Sequence, residues 1–126
     1  MIRIVVADDD ADILDSTQEV LALAGFEVTT VGQAPRILGE VHRALPDILL
    51  QDVNMPGLDL EALMRDLRAA PDLRGVHILL FTASESIQET ARRLGADGYI
   101  QKPFNSDRIK QTLERFLTKP ALGAPQ

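Results

Sequence analysis

Ile48-Leu49-Leu50-Gln51-Asp52 is an apolar run that breaks off into a carboxylate, and the chain repeats this pattern. Ile4-Val5-Val6-Ala7 runs into Asp8-Asp9-Asp10, Ile78-Leu79-Leu80-Phe81 into Thr82, and Gly98-Tyr99-Ile100-Gln101 into Lys102-Pro103. Short runs rich in β-branched residues, separated by helical stretches, read as strands of a parallel sheet. Ligands of such sheets sit outside the carboxyl ends of the strands, at a topological switch point. The pattern therefore gathers acids, a hydroxyl and an ammonium at one edge. That set suits a divalent metal and a phosphoryl group, with an aspartate as the group that is modified.

Between these runs the periodicity is helical. Strands are expected over 2–7, 27–31, 47–51, 76–81 and 98–101. Ile13, Leu14, Thr17, Val20, Leu21 and Ala24 form one stripe, closed by Gly25 as a left-handed cap. Pro35 opens a second helix carrying Ile37, Leu38, Val41 and Leu45, and Pro46 stops it. Leu60, Leu63, Met64 and Leu67 line a third; Ile87, Ala91 and Leu94 a fourth, closed by Gly95; Ile109, Leu113, Phe116 and Leu117 the last. With right-handed crossovers, this alternation predicts an α/β fold, a doubly wound (βα)5 five-stranded parallel sheet with helices on both faces; in the flavodoxin-like order 2-1-3-4-5, the first and third strands flank the switch point. One domain is expected over 1–119, with 120–126 as a flexible tail or the start of a linker.

Bulk properties narrow the function. With 126 residues, 45% hydrophobic and 25% charged, the chain fits one soluble domain. A net charge of −6 argues against direct nucleic-acid binding. The absence of cysteine excludes disulfides and thiolate metal sites. No apolar stretch is long enough for a membrane span, and the first strand begins at the N-terminus, leaving no room for a signal peptide. A cytoplasmic, membrane-free protein is the expectation.

Three neighbouring carboxylates repel one another, and a hard cation such as Mg²⁺ relieves the repulsion. Asp9, Asp52 and the Asn54 carbonyl are candidate ligands, with Asp8 acting directly or through water. Asp10 and Asp12 are assigned to capping the first helix, a role that would also serve Asp8 and Asp9 but cannot account for Asp52. Pro56 and Gly57 shape the loop after Asp52. Thr82 can donate to a phosphate oxygen, with small Ala83 letting the ligand approach; the plainer alternative is a threonine bonding its own backbone. Pro103 enforces an extended Lys102, whose ammonium is expected to pair with Asp52 at rest and with a phosphoryl oxygen later. Tyr99 is read as a half-buried outer-strand aromatic, or as a side chain that swings inward when Thr82 moves.

Taken together, Val5-Val6-Ala7-Asp8-Asp9-Asp10, Pro46 through Asp52, Met55-Pro56-Gly57, Phe81-Thr82-Ala83 and Gly95 through Phe104 resemble the receiver domain of two-component response regulators. The resemblance runs from Arg3 to Leu117. It implies that Asp52 is the phosphoacceptor, taking its phosphoryl group from a sensor histidine kinase or histidine phosphotransfer protein. Asp8 and Asp9 match metal-binding acids and Asn54 the carbonyl ligand of Mg²⁺. Thr82 and Lys102 match the phosphate-contacting switch pair, and Tyr99 the aromatic switch. Asn54 and Ser84 fall where the family tunes dephosphorylation. Output is expected on the face of the fourth helix, fifth strand and fifth helix, toward a downstream protein or an effector domain absent from this chain. No external substrate turnover is expected.

Gln51 stands where an aliphatic residue is frequent, and Leu60 where glycine is. Two other classes compete: a degenerate receiver that only binds partners, and a hydrolase resembling the haloacid dehalogenases that uses Asp8. The second leaves Asp52 unexplained.

Overall fold

The computed structural model describes residues 1–102 and 106–124. Its strands are β1 (Arg3–Ala7), β2 (Glu27–Val31), β3 (Ile48–Asp52), β4 (His77–Thr82) and β5 (Gly98–Gln101). The helices are α1 (Ala11–Leu23), α2 (Ile37–Ala44), α3 (Leu60–Ala69), α4 (Ile87–Leu94) and α5 (Ser106–Leu117). All strand pairs are parallel, in the order β2-β1-β3-β4-β5. This is the expected doubly wound topology.

Side chains alternate across the pleat, so each strand feeds two cores. Val5, Ala7, Leu49, Ile78 and Leu80 pack with Ile37 and Val41 of α2, Leu63, Met64 and Leu67 of α3, and Ile87 and Ala91 of α4. Ile4, Val6, Ile48, Leu50, Leu79, Phe81 and Ile100 pack with Leu21 of α1 and with Ile109 and Leu113 of α5. β3 is buried along its whole length, which is why its run is almost continuously apolar. β2 lies at an edge and keeps polar, half-buried residues.

Two strands end one residue later than expected. Asp52 pairs in register with Phe81, and Thr82 with Gln101, so both chemically interesting residues belong to the strand ends themselves. Gly25 (φ 97°) and Gly95 (φ 73°) adopt the left-handed conformation that ends α1 and α4. α2 stops differently: Leu45, just before Pro46, is itself left-handed (φ 47°, ψ 60°) and donates to the Val41 carbonyl at 2.9 Å.

The sheet end remote from Asp52 holds a polar cluster centred on Asp97. Asp97 Oδ2 accepts from Arg68 Nη2 at 2.9 Å and from the Ile78 N–H at 2.7 Å. Arg68 Nη2 also donates to the Gly95 carbonyl at 2.9 Å. The segment read as a tail has contacts here: the Leu122 N–H donates to Asp97 Oδ1 at 2.7 Å, and Ala121 is buried. Nε2 of buried His77 donates to the Lys119 carbonyl at 2.6 Å. Within the 120–126 segment, Ala121 and Leu122 thus have contacts with the domain.

Removing one partner of a buried ion pair strands the other. Asp97→Ala should lower unfolding stability in urea by about 3 kcal/mol and remove exchange protection from the Leu122 amide.

Candidate functional site: an acidic cluster at the carboxyl edge

Register builds the site. Ala7 pairs with Gln51, so the following Asp8 and Asp52 stand level on neighbouring strands. Oxygens of Asp8, Asp9 and Asp52 lie within 4.8 Å of one another. Asp8 and Asp52 are buried and Asp9 is exposed. The Asp8 carboxylate is fixed on both sides, Oδ1 by the Asp10 N–H at 3.0 Å and Oδ2 by Lys102 Nζ at 2.5 Å. Asp10 caps α1, accepting from the N–H groups of Asp12 and Ile13, as its assignment predicts.

Lys102 is positioned through β5, its N–H donating to the Thr82 carbonyl at 2.9 Å. Its ammonium lies 4.3 Å from the centre of the Phe81 ring, a cation–π contact. The expected ion pair with Asp52 is present, with Oδ1 at 3.6 Å, and Asp8 is a second and nearer partner. Asp8 is the more deeply buried acid, so its charge gains most from a direct ammonium contact. Asp52 is left with one oxygen loosely held, the Asn54 N–H approaching Oδ1 at 3.5 Å. Burial pushes the Asp52 carboxyl up to about 6, against the pull of Lys102; the Asp8 and Asp9 charges push the same way and the Asn54 N–H opposes them.

Asn54 is exposed in the loop after β3. Met55, Pro56, Gly57 and Leu58 form a tight turn, with the Leu58 N–H on the Met55 carbonyl at 3.1 Å and Gly57 at φ 76°. Proline followed by a left-handed glycine is the type II turn signature. Asp59 then caps α3 by accepting from the Ala62 N–H, and Leu60 is the first helical residue. Thr82 is buried, and its Oγ1 accepts from the Ser84 N–H at 3.3 Å, the plainer of its two readings. Ala83 beside it is exposed. Tyr99 is 38% exposed, and its register with Leu80 puts it on the sheet face covered by α4. Pro103, read as loop-shaping, lies outside the described residues.

Gln51 has a role that the sequence only hinted at. It is fully buried, and its Nε2 donates to the Asp52 backbone carbonyl at 3.0 Å and to Met55 Sδ at 3.4 Å. Its Oε1 has no partner among the described residues. An unsatisfied buried acceptor costs about 1–3 kcal/mol.

The donor set is all oxygen and carries three carboxylates against one ammonium, a surplus of negative charge. It fits a hard divalent cation, and Mg²⁺ in particular, which accepts few protein ligands and retains waters.

Comparison with known proteins agrees with this arrangement. The family model for the response regulator receiver domain matches residues 4–114. Response regulator MprA of Mycobacterium leprae is 37% identical over 122 residues, covering 94% of this chain and 53% of that protein. Transcriptional regulatory protein PrrA of the same organism is 36% identical over 104 residues, covering 81% and 44%. The chain spans about half the length of the curated relatives it matches. Chemotaxis response regulator CheY4 of Vibrio cholerae superposes with a TM-score of 0.82 at 27% identity, covering 92% of this chain and 98% of that one. TrrA of Thermotoga maritima, solved in complex with Mg²⁺ and BeF, gives 0.80 at 27%, covering 92% and 99%. With its sheet order and its acidic edge, the chain belongs to the receiver domains of two-component response regulators.

Proposed function

We propose that the domain accepts a phosphoryl group on Asp52 from a phosphohistidine of a sensor histidine kinase or histidine phosphotransfer protein. The observation that carries this reading is the convergence of Asp8, Asp9 and Asp52 around one lysine ammonium at the ends of β1, β3 and β5. A carboxylate oxygen of Asp52 attacks phosphorus in line; the new O–P bond forms as the P–N bond breaks, and the leaving imidazole nitrogen takes a proton from solvent.

Asp9, Asp52 and the Asn54 carbonyl, with Asp8 directly or through water, would hold a Mg²⁺, which would supply neutralising charge for the transfer. Lys102 needs only a small displacement from Asp8 to reach a phosphoryl oxygen on Asp52, since its ammonium already lies 3.6 Å from that carboxylate. The Thr82 hydroxyl accepts one N–H at rest, so its own hydrogen remains free to donate to the phosphoryl group. That donation draws the β4–α4 loop toward Asp52. Tyr99 shares the sheet face of Thr82 and moves inward, altering the surface of α4, β5 and α5 that a downstream partner reads. The acyl phosphate then hydrolyses, so the domain modifies itself and turns over no external substrate. A cytoplasmic setting fits a kinase that uses ATP.

Incubation with Mg²⁺ and a small phosphodonor, trapping and mass spectrometry should place the modification on Asp52. Asp52→Asn should abolish it. Label on Asp8, or no label, would contradict the proposal. Lys102→Ala should still be labelled yet fail to switch its partner; normal signalling by that variant would remove Lys102 from the switch.

The raised Asp52 carboxyl gives a second prediction, for the metal-free protein. Between its ordinary value of 3.8 and about 6, the folded chain holds a proton that the unfolded chain has released. The stability from that proton is fully present below 3.8 and is lost as pH rises through 6. Asp52→Asn should therefore raise the thermal midpoint above pH 7 and raise it less near pH 5, as scanning calorimetry can check. An equal shift at both values would mean that Asp52 ionises freely.

A further inference from the structure

Gln51 is a fully buried amide in an otherwise apolar layer, level with Ala7 on one neighbour and Leu80 on the other. An aliphatic side chain would fill the same place without leaving a bare oxygen. The orientation of the amide is nevertheless fixed by chemistry. A backbone carbonyl accepts and cannot donate, so the group 3.0 Å from the Asp52 carbonyl must be the NH₂ end. The same nitrogen faces Met55 Sδ at 3.4 Å, which is also an acceptor. Turning the amide over would set oxygen against oxygen. Oε1 is therefore left without a partner among the described residues as the consequence of what Nε2 does.

What Nε2 does is join the two ends of one short loop. The Asp52 carbonyl belongs to the peptide that enters the loop, and Met55 begins the turn that leaves it, with its own carbonyl taken by Leu58. Asn54 lies between them, its N–H directed at Asp52 Oδ1. Fixing both ends of so short a loop limits the orientations open to its intervening peptides.

We infer that Gln51 is a positioning residue for the phosphorylation site, holding the Asp52–Met55 loop so that Asn54 can serve the divalent cation beside Asp52. The inference deepens the phosphoacceptor reading and rests on it. Gln51 touches neither metal nor phosphate; it acts through the backbone on which Asn54 is carried. The side chain's unpartnered oxygen marks a site where fold stability is given up for geometry.

The test compares the wild type with Gln51→Met, which keeps the length and loses the donor. Three quantities are measured: urea stability without metal, Mg²⁺ affinity by calorimetry, and the rate of labelling by a small phosphodonor. Stability should hold or rise, while Mg²⁺ affinity falls by about tenfold, the range seen for groups that orient metal ligands, and labelling slows with it. Raising Mg²⁺ to saturation should recover most of the labelling rate.

Mg²⁺ affinity within about twofold of wild type would overturn the inference, because an orienting partner is worth more than that. Affinity and stability falling together would overturn it too, since general loosening would then explain both. A wild type that takes no label on Asp52 defeats the phosphoacceptor reading itself. Wild-type labelling with an indifferent Gln51→Met defeats only the role of Gln51.

Discussion

Mutual repulsion among Asp8, Asp9 and Asp52, held in check by one ammonium, is the constraint to which the rest of this molecule answers. Carboxylates so close together repel one another, and two of the three are buried. Lys102 offsets part of that repulsion, with its ammonium 2.5 Å from Asp8 and 3.6 Å from Asp52. Asp52 is left under-compensated, with its carboxyl pushed up to about 6. A group in that condition gains from a cation and from conversion to an acyl phosphate in a way that a solvated surface aspartate does not. The residue proposed as acceptor is the one whose carboxyl is pushed up, chiefly by burial.

The scaffold makes this strain tolerable by over-determining everything around it. β3 is buried from end to end and packed on both faces, so Asp52 cannot retreat from its neighbours by moving its strand. At the opposite end of the sheet, charge is fully matched: Asp97 is bonded by Arg68, the Ile78 N–H and the Leu122 N–H. One edge is closed by satisfied polar contacts, while the other keeps an exposed loop, a spare negative charge and a bare amide oxygen. The contrast follows the usual division between a stable frame and a site poised for change.

Much of this was legible because parallel strands announce themselves. Runs such as Ile48–Leu50 and Ile78–Phe81 are apolar on both sides because both faces are covered; the crossover rule gave helices on both faces, and the strand order came from likeness to flavodoxin-like sheets. The site residues could be named because strand ends in such a sheet share an edge. The pairing of Lys102 with Asp52 could be named as well, but not its closer contact with Asp8, one step past β1, which depends on how the side chains pack. Gln51 was visible as an oddity, but the bare Oε1 is a property of packing. The contacts of residues 119–124 were hidden more completely. A backbone N–H such as that of Leu122 has no sequence signature, and Pro, Ala and Gly say only that a segment has no helix of its own. The ion pair of Arg68 with Asp97 joins residues 29 apart in the chain, so nothing in either one's neighbourhood announced it.

The central claim is that one under-compensated carboxylate cluster is a preformed cation site. Titrating Mg²⁺ into the metal-free protein while following backbone amide resonances tests it most directly. The amides of Asp8, Asp9, Asp52, Val53, Asn54 and Lys102 should shift together on a single binding curve, with the acids outside this cluster silent. Shifts scattered over Asp12, Glu19 and the other surface carboxylates, with no response around Asp52, would contradict the account.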